Sequence, residues 1–271
     1  MNITIFTSNQ PRHIHLIESL STIAENTYAI QECNTVFPGK VEDFFRKSEI
    51  MQKYFKNVIT AEQEVFGGLK FTPPNVTQLV LKEGDLNSLD LSVLEPALSS
   101  DYYIVFGASY IKGDLIDFLV KNRAINIHMG VSPYYRGSSC NFWALYDRRP
   151  EMVGATIHLL SRGLDSGDIL FHAFPPTEAT DAFLLGMKAV KSAHDGLVNY
   201  IASGQIEKMT AVPQDKTKEI RYTYNQDFTD EVTKSYLDNM LSKEYIFERL
   251  KKRNIQDLIY PYYGSNKTHY S

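Results

Sequence analysis

Residues 102–128 read YYIVFGASYIKGDLIDFLVKNRAINIH, and their pattern determines the expected fold. The nearly continuous apolar run at 102–106 is typical of a strand that is buried on both faces of a parallel sheet. A helical pattern follows at 114–120, and a second buried strand follows at 124–127. Strand–helix–strand alternation of this kind favours βαβ units. We therefore predict an α/β fold over residues 1–205, with a doubly wound, mostly parallel sheet.

The flanking sequence continues this alternation of strands and helices. Expected strands lie at 2–7, 28–31, 155–160 and 169–174, and expected helices at 11–25, 37–66 and 182–201. Pro11 suits the first turn of its helix because its fixed φ is already helical. The composition changes after Pro213, and residues 206–271 are predicted to form a small C-terminal region with a helix at 236–253.

The charge balance and the cysteine count exclude several classes of protein. The 271 residues include 28 Lys and Arg against 32 Asp and Glu, which gives a formal net charge of −4. Nucleic-acid binding normally leaves a strongly basic footprint, so a nucleic-acid partner is not favoured. No apolar run approaches the ~18 residues of a membrane helix, and the N-terminus lacks a signal-peptide pattern. Cys33 and Cys140 cannot build a disulfide framework, and we expect a cytoplasmic protein without a membrane partner.

Ligands of doubly wound sheets bind beyond the carboxyl ends of the strands. Three loops hold that position in the predicted sheet, at 8–12, 107–112 and 128–137. Alternation within a strand puts Asn126 and His128 on the same face, where the strand meets the third loop. Two polar side chains at a strand end can stabilise one developing oxyanion, or they can be ordinary polar groups whose hydrogen bonds are satisfied there.

Two strings of the sequence together resemble the folate-dependent formyltransferase family. The first is NIHMGVSPYYRG at 126–137, and the second is GLDSGD at 163–168. The family signature joins Asn-x-His and a Pro-x-Tyr-Arg-Gly-like loop to a Gly-x-Asp-x-Gly-Asp turn. The family often has Leu-Leu before the loop proline, where this chain has Val131-Ser132. The resemblance implies a formyltransferase-like, Rossmann-type domain and an enzyme that transfers a one-carbon group.

The resemblance also implies catalytic roles for three side chains. Asn126 and His128 would face the formyl group of the cosubstrate 10-formyltetrahydrofolate, and Asp165 would lie close to the incoming amine. Asn126 and His128 can then stabilise the tetrahedral oxyanion, while Asp165 can take the ammonium proton directly or through water. Either His128 or Asp165 can be the proximate base.

The resemblance further implies that the backbone of two loops holds the pterin end of the folate. The corresponding residues are Ser109, Tyr110, Ile111, Lys112, Arg162 and Leu164. For Ser109 and Tyr110 the alternative is that they belong to an ordinary strand-to-helix loop without a binding role. His158 lies in a strand pattern and is expected to be structural. The remaining histidines show no ligand spacing with cysteines or carboxylates, so we predict no metal site.

The family divides by the amine that accepts the formyl group. The purine-pathway enzyme is essentially the catalytic domain alone, and methionyl-tRNA formyltransferase carries a larger C-terminal barrel that helps to hold tRNA. Sugar-nucleotide N-formyltransferases have a modest C-terminal region. Length, acidity and the short region after Pro213 favour this third class, which acts on a nucleotide-linked aminodideoxy sugar. The alternatives are methionyl-tRNA or another small amine, and a non-catalytic folate- or nucleotide-binding module.

Two segments are candidates for binding the nucleotide part of such a substrate. The loop with Ser8, Asn9, Gln10 and Arg12 lies at the start of a helix, where backbone N–H groups favour anions. Arg12 can contact a pyrophosphate, or it can be an ordinary solvated residue. Tyr222, within the string RYTYNQDF, can stack on a base, or it can belong to a packing edge.

Aromatic residues near the C-terminus bear on the oligomeric state. Tyr260, Tyr262 and Tyr263 are candidates for an aromatic interface core, or they can cover the flank of the catalytic domain. On the first interpretation the protein is a homodimer.

Overall fold

The computed structural model describes residues 1–33, 48–68 and 70–265. The strands in these residues are β1 (Asn2–Thr7), β2 (Asn26–Cys33), β3 (Val76–Lys82), β4 (Tyr102–Val105), β5 (Ile125–His128), β6 (Tyr135–Gly137), β7 (Ala155–Leu159), β8 (Ile169–Phe174), β9 (Arg221–Thr223) and β10 (Tyr262–Tyr263). The α-helices are α1 (Pro11–Ser21), α2 (Glu49–Phe66), α3 (Gly113–Lys121), α4 (Cys140–Tyr146), α5 (Ala182–Ala202), α6 (Asp230–Asp238) and α7 (Lys243–Lys251). No helix in this described part is long and apolar enough to cross a membrane.

The main sheet contains eight strands in the spatial order β10-β8-β7-β5-β4-β1-β2-β3. The strands from β3 across to β5 pair in parallel. β7 runs antiparallel to both β5 and β8, and β10 is parallel to β8. A separate ribbon pairs β6 with β9. The predicted doubly wound, mostly parallel α/β fold is confirmed by this arrangement.

The central strands are apolar because helices cover both faces of the sheet. Ile5 of β1 packs in one buried cluster with Leu16 of α1 and Leu197 of α5. Its neighbour Phe6 belongs to a second cluster, which includes Leu119 of α3. Consecutive strand residues point to opposite faces, so burial of both residues requires a helix layer on each side.

The first two helices follow the expected pattern over the residues that the structure describes. α1 begins at Pro11, as predicted, and ends at Ser21. The helix predicted at 37–66 is seen from Glu49 onward as α2, and residues 37–47 lie outside the described residues.

The single helix predicted at 236–253 is wrong. Two helices occupy the region, because α6 ends at Asp238 and α7 begins anew after Ser242. The Ser242 hydroxyl accepts a hydrogen bond from the Tyr245 backbone N–H at 3.1 Å. This N-cap starts a second helix, since it satisfies a backbone donor that has no partner within the helix.

Residues after 205 pack against the same core. Tyr236 of α6 and Ile246 of α7 are buried in a cluster with Phe142 of α4 and Leu185 of α5. β10 adds a strand to the main sheet beside β8. The small C-terminal region is therefore in extensive contact with residues 1–205.

The three C-terminal tyrosines differ in their surroundings. Tyr262 packs against the core, and the centroid of its ring lies 6.0 Å from that of Tyr200. Tyr260 and Tyr263 remain 50% and 51% exposed. Tyr262 thus covers the flank of its own chain, and the homodimer stays a prediction.

Candidate functional site

The site is built where β5 ends and the turn at 163–168 folds over it. Asn126 and His128 lie on the same face of β5. The Asp165 carboxylate reaches both, with Oδ2 at 3.2 Å from His128 Nδ1 and Oδ1 at 3.2 Å from Asn126 Nδ2. The structure therefore brings together the three side chains for which the sequence predicts a catalytic role.

The turn that carries Asp165 has an uncommon backbone. Asp165 has a φ of +43°, in the left-handed region that L-residues rarely adopt. At Gly167, a Cβ atom would lie 1.8 Å from the carbonyl oxygen of Leu159. Only glycine lets the turn approach β7 so closely, and this approach brings Asp165 over the end of β5.

His158 is a fourth member of the site, although its strand pattern predicted a structural residue. It lies opposite Asn126 in the antiparallel pairing of β7 with β5. Its Nδ1 is 2.8 Å from the Leu159 carbonyl oxygen, which can only accept, so Nδ1 carries a proton. In the neutral ring Nε2 then accepts from Asn126 Nδ2–H at 3.0 Å. The sequence alone does not give this register, which is why the contact was missed.

Electrostatics favour an ion pair between His128 and Asp165. Burial acts to lower the pKa of His128, but the adjacent Asp165 carboxylate and Cys140 outweigh it, and the pKa is raised well above its ordinary value. Burial acts to raise the pKa of Asp165, but the charge and hydrogen bond of His128 hold that pKa well below its usual range. The resting pair is therefore an imidazolium and a carboxylate.

Cys140 contacts the far side of the His128 ring, a contact that sequence reasoning also missed. Its Sγ lies 3.4 Å from His128 Nε2 and 3.3 Å from the Gly137 carbonyl oxygen. The carbonyl accepts the S–H proton, which leaves the sulfur to accept from the ring. Thiol sulfur is a weak acceptor, so Nε2 can exchange this contact for a substrate oxygen at little cost.

A Cβ atom at Gly130 would lie 2.5 Å from Cys140 Cβ, so the loop requires glycine there.

A cavity of about 300 Å³ opens on one side of His128, between the loop after β4 and the turn at 163–168; we call it the loop cavity. It is lined by four of the residues predicted to hold the folate, namely Ser109, Tyr110, Ile111 and Leu164. Lys112 and Arg162 are not among its lining residues. Arg162 points to the surface, with Nε 2.8 Å from Asp117 Oδ1, and Lys112 donates its backbone N–H to Asn87 Oδ1 at 2.7 Å.

Hydrogen bonds within the protein fix the walls of the loop cavity. The Glu32 carboxylate, at the end of β2, accepts from the Ser109 backbone N–H at 2.7 Å and from its hydroxyl at 3.0 Å. The Tyr110 hydroxyl donates to the Arg162 carbonyl at 2.6 Å and so joins the two loops. The side chain of Ser109 is therefore engaged within the protein, which leaves recognition in this loop to backbone groups.

A second cavity, of about 380 Å³, lies on the other side of His128; we call it the aromatic cavity. Its walls include the rings of Tyr54, Phe55, Phe142, Phe183, Phe228 and Tyr236. His128 and Met129 line both cavities and form the wall between them. A group bound in either cavity can therefore reach the same imidazole.

The residues predicted to bind a nucleotide are dispersed. Ser8 is fully buried, and its hydroxyl donates to the Glu32 carbonyl at 2.8 Å, so this side chain does not face a ligand. Asn9 and Gln10 lie in the turn between β1 and α1. Arg12 lines the aromatic cavity, with Nη1 2.8 Å from Glu62 Oε1.

Tyr222 lies on β9 and is not among the residues that line either cavity. The centroid of its ring is 5.4 Å from the Arg136 guanidinium and 5.1 Å from the Tyr224 ring. Tyr222 is 37% exposed and Tyr224 is 59% exposed, so they form a surface aromatic patch. Of the predicted nucleotide-binding side chains, only Arg12 lines a cavity that reaches His128.

A family model described as formyl transferase matches residues 53–201, which is more than half of the chain. The chain belongs to the formyl transferase family. The match includes Asn126, His128, His158 and Asp165, and so covers the site. Among the residues that the structure describes, no group of three or more His, Cys, Asp or Glu side chains is arranged to hold a metal ion.

Individual formyl transferases extend the comparison. A methionyl-tRNA formyltransferase from a Synechococcus strain is 30% identical over 129 residues, which cover 47% of this chain and 39% of that protein. A 4-N formyltransferase from Francisella tularensis has a similar fold, with a TM-score of 0.52 and 16% identity over 92% of this chain and 87% of that one. An N-formyltransferase from Helicobacter canadensis, in complex with folinic acid and dTDP-3-aminofucose, also has a similar fold. Its TM-score is 0.51, with 12% identity over 98% of this chain and 85% of that one. The chain therefore matches less than half the length of the curated relative.

Proposed function

We propose that this protein moves the formyl group of 10-formyltetrahydrofolate onto the amine of a nucleotide-linked aminodideoxy sugar. The observation that carries the proposal is the convergence of Asn126, His128 and Asp165 in the loop cavity, together with the place of His128 in the lining of both cavities. A transferase must bring a donor and an acceptor to one set of polar groups, and two cavities that share His128 are suited to this. Membership of the formyl transferase family supports the reaction class.

The side chains suffice for the transfer. The acceptor amine attacks the formyl carbon, a C–N bond forms, and the carbonyl oxygen becomes an oxyanion. Asn126 Nδ2–H and His128 stabilise this charge, with the hydrogen bond from Asn126 moving from Asp165 to the oxyanion. Asp165 takes a proton from the new ammonium group. The bond to folate N10 then breaks, and N10 receives a proton from His128 or through water.

The ion pair supports one division of the two proton-transfer roles. The raised pKa of His128 keeps the imidazole protonated near neutral pH, so it acts as a donor. The lowered pKa of Asp165 keeps the carboxylate ionised, so it is available as the proximate base. The proposal therefore takes Asp165 as the proximate base, which is one of the two alternatives that the sequence leaves open.

The loop cavity is the proposed site of the folate. Its walls include residues 107–111, Ser161 and residues 163–165, and the edge of a flat heterocycle can pair with the backbone N–H and C=O groups of such loops. Tyr110 and Arg162 hold the two loops together by the hydroxyl-to-carbonyl hydrogen bond. The formyl group would then lie beside His128, at the inner end of the cavity.

The aromatic cavity is the proposed site of the acceptor sugar. Aromatic rings pack well against the C–H faces of a sugar, and a dideoxy sugar has more of that apolar surface than a fully hydroxylated one. Arg12 adds a positive group at this cavity, near the start of α1. The dTDP-3-aminofucose bound by the Helicobacter canadensis protein of similar fold supports this substrate class.

The decisive experiment measures tetrahydrofolate release from 10-formyltetrahydrofolate by the full chain. The acceptors are 3-amino and 4-amino dideoxy sugars on dTDP, UDP or GDP, each with a matched control that carries a hydroxyl in place of the amine. We expect release with at least one amine and none with its hydroxyl control. Folate binding without release for any amine would instead support the non-catalytic binding module.

Methionyl-tRNA is the second candidate acceptor, because the curated relative is a methionyl-tRNA formyltransferase. Contact with tRNA phosphates would make the rate fall steeply with salt, since each contact releases condensed counterions. Formylation of initiator methionyl-tRNA with such a salt dependence, and of no amino sugar, would replace the sugar proposal. Other small amines can be tested in the same assay.

We further propose a cytoplasmic homodimer. Cys33 and Cys140 are both free, which fits a reducing compartment, and Tyr260 and Tyr263 offer exposed aromatic surface. Light scattering of the full chain checks the dimer, and a monomeric mass at micromolar concentration would remove that part of the proposal.

A further inference from the structure

Gln214 contacts the turn that carries Asp165, although it lies well beyond it in the sequence. Its side-chain Nε2 donates to the carbonyl oxygen of Asp165 at 2.9 Å and to that of Gly167 at 2.9 Å. Both partners can only accept, so the amide must present its nitrogen to the turn. Gln214 Oε1 is buried without a hydrogen-bond partner among the described residues, so the two N–H contacts determine how this amide is placed.

The turn needs such an anchor because its backbone is strained. Asp165 has a left-handed φ of +43°. Residues other than glycine keep such a backbone angle only when the surrounding structure imposes it. The two carbonyls that Gln214 holds lie on either side of Ser166, and a rotation of these peptides would carry the Asp165 carboxylate away from β5. One amide therefore fixes both ends of the peptide segment that orients this carboxylate.

Gln214 is itself held in place by the sheet. Two residues before it, Val212 forms a reciprocal backbone pair with Ile169, the first residue of β8. The Ile169 N–H donates to the Val212 carbonyl at 2.8 Å, and the Val212 N–H donates back at 2.9 Å. The anchor is therefore attached to the strand that directly follows the turn, and its position is fixed relative to Asp165.

We propose that Gln214 is a positioning residue for the reaction, which holds the turn so that the Asp165 carboxylate faces Asn126 and His128. The proposal rests on the proposed function, because it gives a role to Asp165 in formyl transfer. Gln214 lies outside the family match at residues 53–201 and has no contact with the reacting groups. It acts entirely through the backbone of the turn.

The test compares Gln214→Met and Gln214→Glu with the full wild-type chain. Methionine keeps the length of the side chain without an N–H donor, and glutamate replaces the donor by oxygen, which repels both carbonyls. Gln256→Ala is the matched control, since Gln256 has an exposed side chain. Urea unfolding of each variant shows whether the fold is intact.

Two measurements distinguish a positioning role of Gln214 from a general contribution to the stability of the fold. The first is kcat against KM in the formyl-transfer assay, where we expect kcat to fall about 10- to 100-fold with little change in KM for the folate. The second is the pKa of His128 in the free protein, followed by NMR of the ring carbon and assigned with His128→Gln. We expect this pKa to fall by about one unit or more when Asp165 is released, because the opposing charge moves away.

The two readouts also keep this proposal distinct from the proposed function. A His128 pKa in Gln214→Met equal to that of the wild type would overturn the positioning role, whatever the rate. A wild-type protein that transfers no formyl group would refute the proposed function, and the NMR comparison would still decide whether Gln214 orients Asp165. A matching loss in Gln256→Ala would likewise overturn the role, since that change removes no contact with the turn.

Discussion

Asn126 on β5 and His158 on β7 are directly opposed in the antiparallel part of the sheet, and their side chains meet with Nδ2 3.0 Å from Nε2. The contact connects β5, which pairs in parallel with β4, to β7, which runs antiparallel to β5, and it lies within the site. His158 is 1% exposed, so its ring has little freedom to turn. The amide of Asn126 is thereby oriented before any substrate binds, with one N–H held by His158 and the other facing Asp165.

On the proposed function, His158→Leu should lower kcat about 10- to 100-fold, because the half-buried Asn126 amide loses its acceptor and is free to turn away from the formyl group. His158→Gln places a side-chain acceptor near the same position and should retain more activity than His158→Leu. Steady-state kinetics of both variants check the order. Equal loss in the two variants would show that the acceptor is not what matters at this position.

On the proposed function, Asn126→Ala, His128→Ala and Asp165→Ala should each lower kcat by at least ~10², since each would remove a group that stabilises the transition state or moves a proton. Circular dichroism should show an intact fold. The double variant of Asn126 and His128 should lose little more than the worse single variant, because the two act as a unit. Asn122→Ala, which changes an amide at the end of α3, is the control. Near-normal turnover in any of the three would remove that residue from the mechanism.

Stability should fall as the pH decreases from about 6.5 towards 4, because several buried histidines stay neutral in the fold. Burial lowers the pKa of His15 to about 3 and that of His172 to about 4, with nearby lysines adding to the effect at His15. An unfolded histidine binds a proton near pH 6.5, so in this window the unfolded chain holds more protons than the folded one. Stability therefore rises with pH up to about 6.5, and each such group adds about 1.4 kcal/mol per pH unit at most.

His15→Phe tests this pH dependence by urea unfolding at pH 5 and pH 6.5. The ring of His15 packs against Phe66, with centroids 5.0 Å apart, and its Nδ1 lies 3.0 Å from Nδ1 of His194, so phenylalanine keeps the ring packing and removes this polar contact. We expect a smaller difference in unfolding free energy between the two pH values than in the wild type. An unchanged difference would mean that His15 is not neutral in the folded protein.

Gly167→Ala and Gly186→Ala should have opposite effects on stability. A Cβ at Gly167 would collide with the backbone of Leu159, and relief of the clash should cost about 1–3 kcal/mol. At Gly186, within α5, no heavy atom lies within 4 Å of the added Cβ, so alanine should stabilise the helix by about 0.5–1 kcal/mol. Thermal unfolding of both variants checks the signs. A stabilising shift in Gly167→Ala would contradict the packing described for the turn, and a destabilising shift in Gly186→Ala would contradict the open space described beside α5.

Much of the fold follows from local patterns in the sequence. The apolar runs of β4 and β5 and the helical spacing between them predict a parallel sheet, because burial on both faces leaves no polar alternation. Strand alternation also places Asn126 and His128 on one face. These inferences need only a few neighbouring residues, and the resemblance of two short strings supplies Asp165.

The remaining members of the site depend on tertiary contacts that no local pattern encodes. His158 contacts Asn126 through the register of β7, Cys140 contacts His128 through the path of the 129–139 loop, and Gln214 contacts the Asp165 turn from beyond α5. The helix predicted at 236–253 was wrong because a polar residue in the middle, Ser242, stabilises a new helix start. Arg12 was predicted from its position at a helix start, but the sequence did not show that it pairs with Glu62.

The shared wall of His128 and Met129 has a consequence for the order of events in turnover. On the proposed function, two cavities that meet at one imidazole would let the amine attack the formyl carbon directly, and no side chain would have to carry the formyl group as a covalent adduct. Both substrates must then be present in a ternary complex before either product forms. Initial-rate plots at several fixed concentrations of the second substrate should intersect, in contrast to the parallel lines of a ping-pong enzyme.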